Sequence, residues 1–136
     1  MRHIQIAVFV EPSRSKAANA IDGSLQTFWH TEWSAGSPRH PHEIVIDMSE
    51  SREIKGFFYL PRQDGPANGT TKDYEFYLGN DPKDFGAPVA KGAFKGNTDL
   101  KKVKFAAKKG RYLKLRALSE VNGQPCTSAA EIGILD

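Results

Sequence analysis

Apolar and polar residues alternate along this chain in short runs, and glycine-bearing turns separate most of those runs. Ile4, Ile6, Val8 and Val10 fall at every second position, and so do Ile44, Ile46 and Met48, with Glu43, Val45 and Asp47 alternating against them. Period two is the signature of a half-buried strand. Tyr74-Glu75-Phe76-Tyr77-Leu78 adds a run of aromatic strand formers. The pattern predicts strands at Ile4–Val10, Glu43–Asp47, Ile54–Leu60, Asp73–Leu78, Val89–Phe94, Lys102–Phe105, Arg111–Ala117 and Ala130–Leu135. Turns are expected at Asp64-Gly65, Asn68-Gly69, Lys95-Gly96-Asn97, Lys109-Gly110 and Asn122-Gly123. One short helical turn over Ser15–Ile21 is the sole helix expected. Many short strands with no long amphipathic helix predict an all-β, antiparallel β-sandwich.

A length of 136 residues fits one domain, expected to span 1–136. No apolar run approaches the ~18 residues of a membrane span. The first ten residues superficially resemble a leader peptide, but Gln5 interrupts the apolar run and no small-residue cleavage site follows. If the protein is exported, its leader is expected to lie outside this stretch, which reads as a module of a larger chain. The single cysteine, Cys126, excludes an intramolecular disulfide and a Cys-based zinc cage.

The net charge of +3 is unevenly spread. Residues 101–116 hold 8 of the 19 basic residues and no acid. An anion-binding face is one reading. The favoured alternative turns Val103 and Phe105 inward while Lys102 and Lys104 solvate an edge strand. Aromatic interleaving of the kind single-stranded nucleic acid needs is missing, so no nucleic-acid partner is expected.

Two segments carry polar chemistry. Residues 19–34 join an oxygen-rich loop to His30, Trp29 and Trp33; residues 61–69 supply Arg62 and Asn68. Asp22 and Thr27 lie five residues apart around Gly23, so both oxygens could face one hard cation. Equally, Asp22 could form an Asx-turn with Thr27 capping it. A pyranose needs fixed donors and acceptors beside an aromatic wall. His30 can donate or accept, Arg62 can span two hydroxyls, and Asn68 offers a carbonyl and an amide. Each also has a bland reading: a satisfied histidine, a surface pair with Asp64, a plain Asn-Gly turn. Trp29 is assigned to the core, and Trp33 reads either as the stacking wall or as core. His40 and His42 are spaced like a zinc pair, but flanking prolines point to a turn into the next strand, and no metal is assigned there.

The run Asn19-Ala20-Ile21-Asp22-Gly23 through Thr27, Trp29, His30 and Thr31, then Pro41-His42-Glu43-Ile44-Val45-Ile46-Asp47-Met48, Arg62-Gln63-Asp64-Gly65 with Asn68-Gly69, Gly110-Arg111-Tyr112-Leu113-Lys114-Leu115-Arg116-Ala117 and Ser128-Ala129-Ala130-Glu131-Ile132 resembles the coagulation factor V/VIII type C (discoidin) superfamily. Within it, the similarity is greatest to bacterial carbohydrate-binding module family 32. The resemblance covers about residues 4–135. It implies a jelly-roll sandwich (galactose-binding-domain-like), a structural calcium ion near the chain ends, and a shallow ligand site on loops at one end. It implies metal ligands at Asp22, Thr27 and Glu131, with carbonyls near Ala17, Ser24 and Ala130. It implies that His30, Arg62 and Asn68 bind a galactose or N-acetylhexosamine type sugar, with Trp33 as wall. Two positions depart from the family pattern. Ser24 and Leu25 stand where relatives often have Asn or Asp and Pro, and Cys126 stands where they commonly carry an aromatic.

Catalysis is not expected. Glu32, Asp47, Asp64, Asp73 and Glu75 are available carboxylates, but none sits in a recognisable acid/base context. The expected function is non-catalytic carbohydrate binding by a monomeric module that targets a linked glycoside hydrolase, such as a hexosaminidase, to glycans. The expected location is extracellular, cell-surface or periplasmic. The alternatives are an adhesion or protein-interaction domain, and a structural spacer without sugar binding.

Overall fold

The fold is that of a computed structural model, which describes residues 5–8, 29–30, 39–63 and 69–136; the first two stretches are described by backbone pairing alone. The strands are β1 (Gln5–Val8), β2 (Trp29–His30), β3 (His42–Leu60), β4 (Asp73–Gly79), β5 (Ala90–Ala93), β6 (Lys101–Ala117), β7 (Ser128–Ala129) and β8 (Glu131–Leu135). The pairings among them are antiparallel, and no helix occurs among the described residues. The architecture is an antiparallel β-sandwich of jelly-roll type.

Two long strands organise it. β3 has 19 residues and β6 has 17, and they pair from His42↔Ala117 to Tyr59↔Lys101. The main sheet runs β1-β3-β6-β4-β5, with β8 also on β3. The free side of β3 is shared: β1 takes its first half, through Ile44–Asp47, and β8 its second, through Gly56–Leu60. The sequence pattern predicted two strands in each of these stretches. Both predictions are corrected to one continuous strand with irregularities. The β3–β6 register shifts between Asp47 and Arg52 and between Ile54 and Gly56. Ser49 takes the left-handed region at φ 74°, and its N–H donates to Asp47 Oδ1 at 2.8 Å. A bulge of this kind bends a strand without ending it.

Gly110, expected to make a turn, is a strand residue opposite Arg52. A Cβ there would lie 2.8 Å from Leu78 Cγ, so the glycine serves close approach. The last predicted strand, Ala130–Leu135, is observed as β8, while β7 precedes it and was not predicted, and β5 covers the centre of the expected Val89–Phe94. β2 was not predicted. The expected helical turn at Ser15–Ile21 lies outside the described residues.

The core follows from register. Ile44, Leu115 and Phe76 form one cross-strand row, and Ile46, Leu113 and Leu78 the next; all six are buried. Phe57 stacks on Phe76 with centroids 4.1 Å apart. Burying such side chains supplies about 1.5–3 kcal/mol each. The opposite face is a half-buried ladder of charge. Glu43 lies 3.4 Å from Lys114 and 3.5 Å from Arg116, and Arg111 binds both Asp47 oxygens at 2.8 and 2.9 Å. Asp47 is therefore a mid-strand ion-pair partner, and the Arg111 guanidinium holds its carboxyl below the ordinary value.

The basic stretch divides accordingly. Lys102 and Lys104 are exposed, while Val103 and Phe105 pack against the core. Residues 101–109 pair with β3 on one side, and no ladder lies on their other side among the described residues. Exposed lysines suit such an edge.

Gly56 tests this framework. A Cβ there would meet the Val103 carbonyl oxygen at 2.3 Å, and that oxygen belongs to the backbone of β6. Gly56→Ala is expected to destabilise the protein by about 1–3 kcal/mol in urea unfolding. Gly96→Ala, whose new methyl would meet Val121 at an ordinary 3.7 Å, is expected to change little.

Candidate ligand site at the loop end of the sandwich

The end of the sandwich beyond β3 gathers three segments around Ser128. Its register partner across the β2–β7 pair is His30. Its N–H donates to the Gly69 carbonyl at 2.8 Å. Its own carbonyl accepts from the Tyr59 hydroxyl at 2.7 Å. Gly69 has φ 85°, and a Cβ on it would lie 2.6 Å from Ser128 Oγ, so the turn after Asn68 must carry glycine here. The fold thus sets the backbone of His30 and the residue after Asn68 on either side of Ser128. Arg62 follows the end of β3 by two residues and is half-buried and partnered. Gln63 secures that exit by donating to the Pro61 and Thr98 carbonyls at 2.7 and 2.9 Å.

Tyr59 is the support beneath. It is fully buried and accepts from the Thr71 N–H at 3.0 Å while donating to Ser128. Burial pushes its phenol up to about 12, so it stays protonated and both bonds persist through the physiological range.

Glu120 joins the loops and was not identified from sequence. It is 3% exposed. One carboxylate oxygen accepts from the Gly69 N–H at 3.0 Å; the other accepts from Asn122 and Gln124 at 2.6 and 2.9 Å. Thr71 and Glu120 also form a backbone bridge. One buried side chain therefore fixes both the Gly69 turn and the 121–125 loop. The sequence cue is slight: an acid two residues before Asn122-Gly123.

The two histidines hold the same loop. The His42 imidazole donates through Nε2 to the Pro125 carbonyl at 2.6 Å, and His40 Nε2 shares a hydrogen bond with Thr127 Oγ1 at 2.7 Å. Their rings meet edge-on at 4.6 Å. Burial, then the neighbouring His42, lower His40 to about 4. These side chains anchor a loop.

Cys126 is half-buried, and its thiol is pushed up by burial and by Glu120 while the Arg62 guanidinium opposes the shift. Arg62 therefore acts electrostatically on Cys126. Of the expected sugar residues, the structure brings the backbone of His30 and all of Arg62 to this end. Trp33 and Asn68 lie outside the described residues. Of the expected metal ligands, Asp22, Thr27, Ala17 and Ser24 also lie outside them. Ala130 is buried and donates its N–H to the Leu60 carbonyl at 2.8 Å; Glu131 is half-buried in register with Leu60. Among the described residues no group of three or more His, Cys, Asp or Glu side chains could hold a metal ion.

The F5/8 type C domain family matches residues 5–132. The chain belongs to that family. It is 42% identical to a galactose oxidase of Gibberella zeae over 123 residues, covering 90% of this chain and 18% of the relative. It is 39% identical to a sialidase of Micromonospora viridifaciens over 120 residues, covering 88% of this chain and 18% of that enzyme. The chain thus spans less than a fifth of the length of these relatives. Among solved structures, CpGH89CBM32-5 from Clostridium perfringens, in complex with GalNAc-β-1,3-galactose, superposes with a TM-score of 0.90 at 31% identity, covering 98% of this chain and 95% of that one. The family 32 CBM of C. perfringens NanJ, in complex with galactose, gives 0.86 at 28% identity, covering 96% and 92%.

Replacing Glu120 tests the loop anchor. Glu120→Ala strands three N–H donors and is expected to cost about 3 kcal/mol or more in urea unfolding. The amide resonances of Gly69, Asn122 and Gln124 are expected to shift together.

Proposed function

We propose that this F5/8 type C domain is a non-catalytic carbohydrate-binding module for terminal galactose or N-acetylhexosamine sugars. The observation that carries the reading is the meeting of the His30 and Gly69 segments at Ser128, with the end of β3 that leads to Arg62 bonded to the same stretch through Tyr59 and Leu60, the neighbourhood that a His, Arg and Asn trio would need. Relatives solved with galactose and with a GalNAc disaccharide support the ligand class. On this reading His30, Arg62 and Asn68 bind ring hydroxyls, and Trp33 offers its face to the sugar's C–H side. Such a module works by proximity, raising the local concentration of glycan for a linked catalytic domain. The linked domain is proposed to be a glycan-active enzyme, a class that includes hexosaminidases, and the module is proposed to act as an extracellular or cell-surface monomer. The single domain is proposed to span 1–136.

Calcium is the proposed structural ion, held by Asp22, Thr27 and Glu131 with carbonyls of Ala17, Ser24 and Ala130. Support comes from pairing: Trp29 faces Ala129, Thr27 precedes the one by two residues, and Glu131 follows the other by two. The ion would cross-link the 17–27 loop to β8 through oxygen donors.

Two measurements test the reading. Arg62→Ala is expected to weaken retention on immobilised galactose or N-acetylgalactosamine about tenfold or more, roughly 1.4 kcal/mol, with the thermal midpoint unchanged; unaltered retention would favour the spacer reading. A calcium chelator is expected to lower the thermal midpoint, and added calcium to restore it. Glu131→Gln is expected to abolish that response.

A further inference from the structure

A cavity of about 540 Å³ opens beside the last loop, lined by Arg39, His40, Gly123, Gln124 and Pro125. Its size lies in the range of small-molecule sites. The loop residue following Pro125 is Cys126, whose thiol the Arg62 guanidinium acts on, and Arg62 is not among the described residues of its lining. Its walls are fixed. The Pro125 carbonyl is held by His42, His40 is held by Thr127, and the Gln124 N–H is held by Glu120. Gly123, at φ 76°, has nothing among the described residues within 4 Å of where a Cβ would stand.

The lining chemistry is one-sided. Arg39 is exposed and has no ion pair among the described residues. Among the described residues no carboxylate lines the cavity; the nearby Glu120 is buried and spends both oxygens on backbone N–H groups. Gln124 adds an amide that can donate and accept, and Pro125 with the His40 ring adds an apolar surface. A guanidinium fork, an amide and an apolar floor suit a ring that bears a carboxylate.

We propose that this cavity binds the carboxylate-bearing residue of an acidic glycan, with Arg39 pairing the carboxylate and Gln124 a ring hydroxyl. The choice of a saccharide as carrier rests on the sugar-binding reading above. The Lys101–Lys109 edge is not needed for it. Anionic preference comes instead from one arginine, Arg39.

The test is a matched pair of probes followed by heteronuclear NMR. Methyl glucuronide and methyl glucoside differ in carrying a carboxylate or a hydroxymethyl group. The glucuronide is expected to give saturable shifts at the amides of Arg39, His40, Gly123 and Gln124. The glucoside is expected to bind there at least fivefold more weakly. Arg39→Gln is expected to remove the difference, and added salt to reduce it. Equal shifts from both probes, no saturable shift from the glucuronide, or a preference that survives Arg39→Gln would overturn the proposal. Galactose titrated into the same Arg39→Gln protein reads the sugar site alone, through Arg62, Gly69 and Ser128. Silence there with an intact glucuronide response in the wild type would remove the galactose reading and leave the cavity standing. The reverse pattern would remove the cavity proposal alone.

Discussion

The β3–β6 ribbon is the constraint from which the rest of the molecule follows. Its register fixes which residues face the core, since a slip of one residue would exchange the Ile44, Ile46, Leu113 and Leu115 face for Glu43, Asp47, Lys114 and Arg116. The same ribbon bends at Ser49, so one strand serves two neighbours in turn, β1 and then β8. The bend leaves the far end of β3 to deliver Tyr59, Leu60 and Arg62 to one place. Tyr59 supports Ser128 and Thr71 from below, and Leu60 receives the Ala130 N–H. The loop end is therefore built on strand geometry rather than on loop flexibility.

Polar groups then tie the loops to that base. Glu120 holds the Gly69 turn and the 121–125 loop with one buried carboxylate, and His40 and His42 hold the following residues to the start of β3. A shallow sugar site needs its few donors placed in advance, because it has little buried area with which to reorganise them. In this chain the placement rests on residues that need not touch a sugar.

Much of the fold was legible because alternation is strong where one face is buried. Ile44, Ile46 and Met48, and Leu113 and Leu115, read directly. Strand continuity was not legible. Ser49-Glu50-Ser51 looks like a loop, yet the chain keeps pairing around a bulge. Lys109-Gly110 looks like a turn, yet Gly110 is there for Leu78. β2 was missed because two residues carry no periodicity. At the site, spacing and family resemblance pointed to His30, Arg62 and Asn68, but Glu120 could not be found that way. Its role depends on three backbone N–H groups that converge only after folding. The zinc-like spacing of His40 and His42 has a structural explanation in the carbonyl and hydroxyl that each ring reaches.

The central claim is that the surface around Ser128 binds a hexose. Titrating the calcium-loaded protein with galactose and with N-acetylgalactosamine, while recording backbone amides and the indole signals of Trp29 and Trp33, tests it most directly. The account predicts saturable shifts confined to Arg62, Gly69, Ser128, His30 and one indole for at least one of these sugars. An absence of saturable shifts at that end of the sandwich, even at ~50 mM sugar, would contradict it.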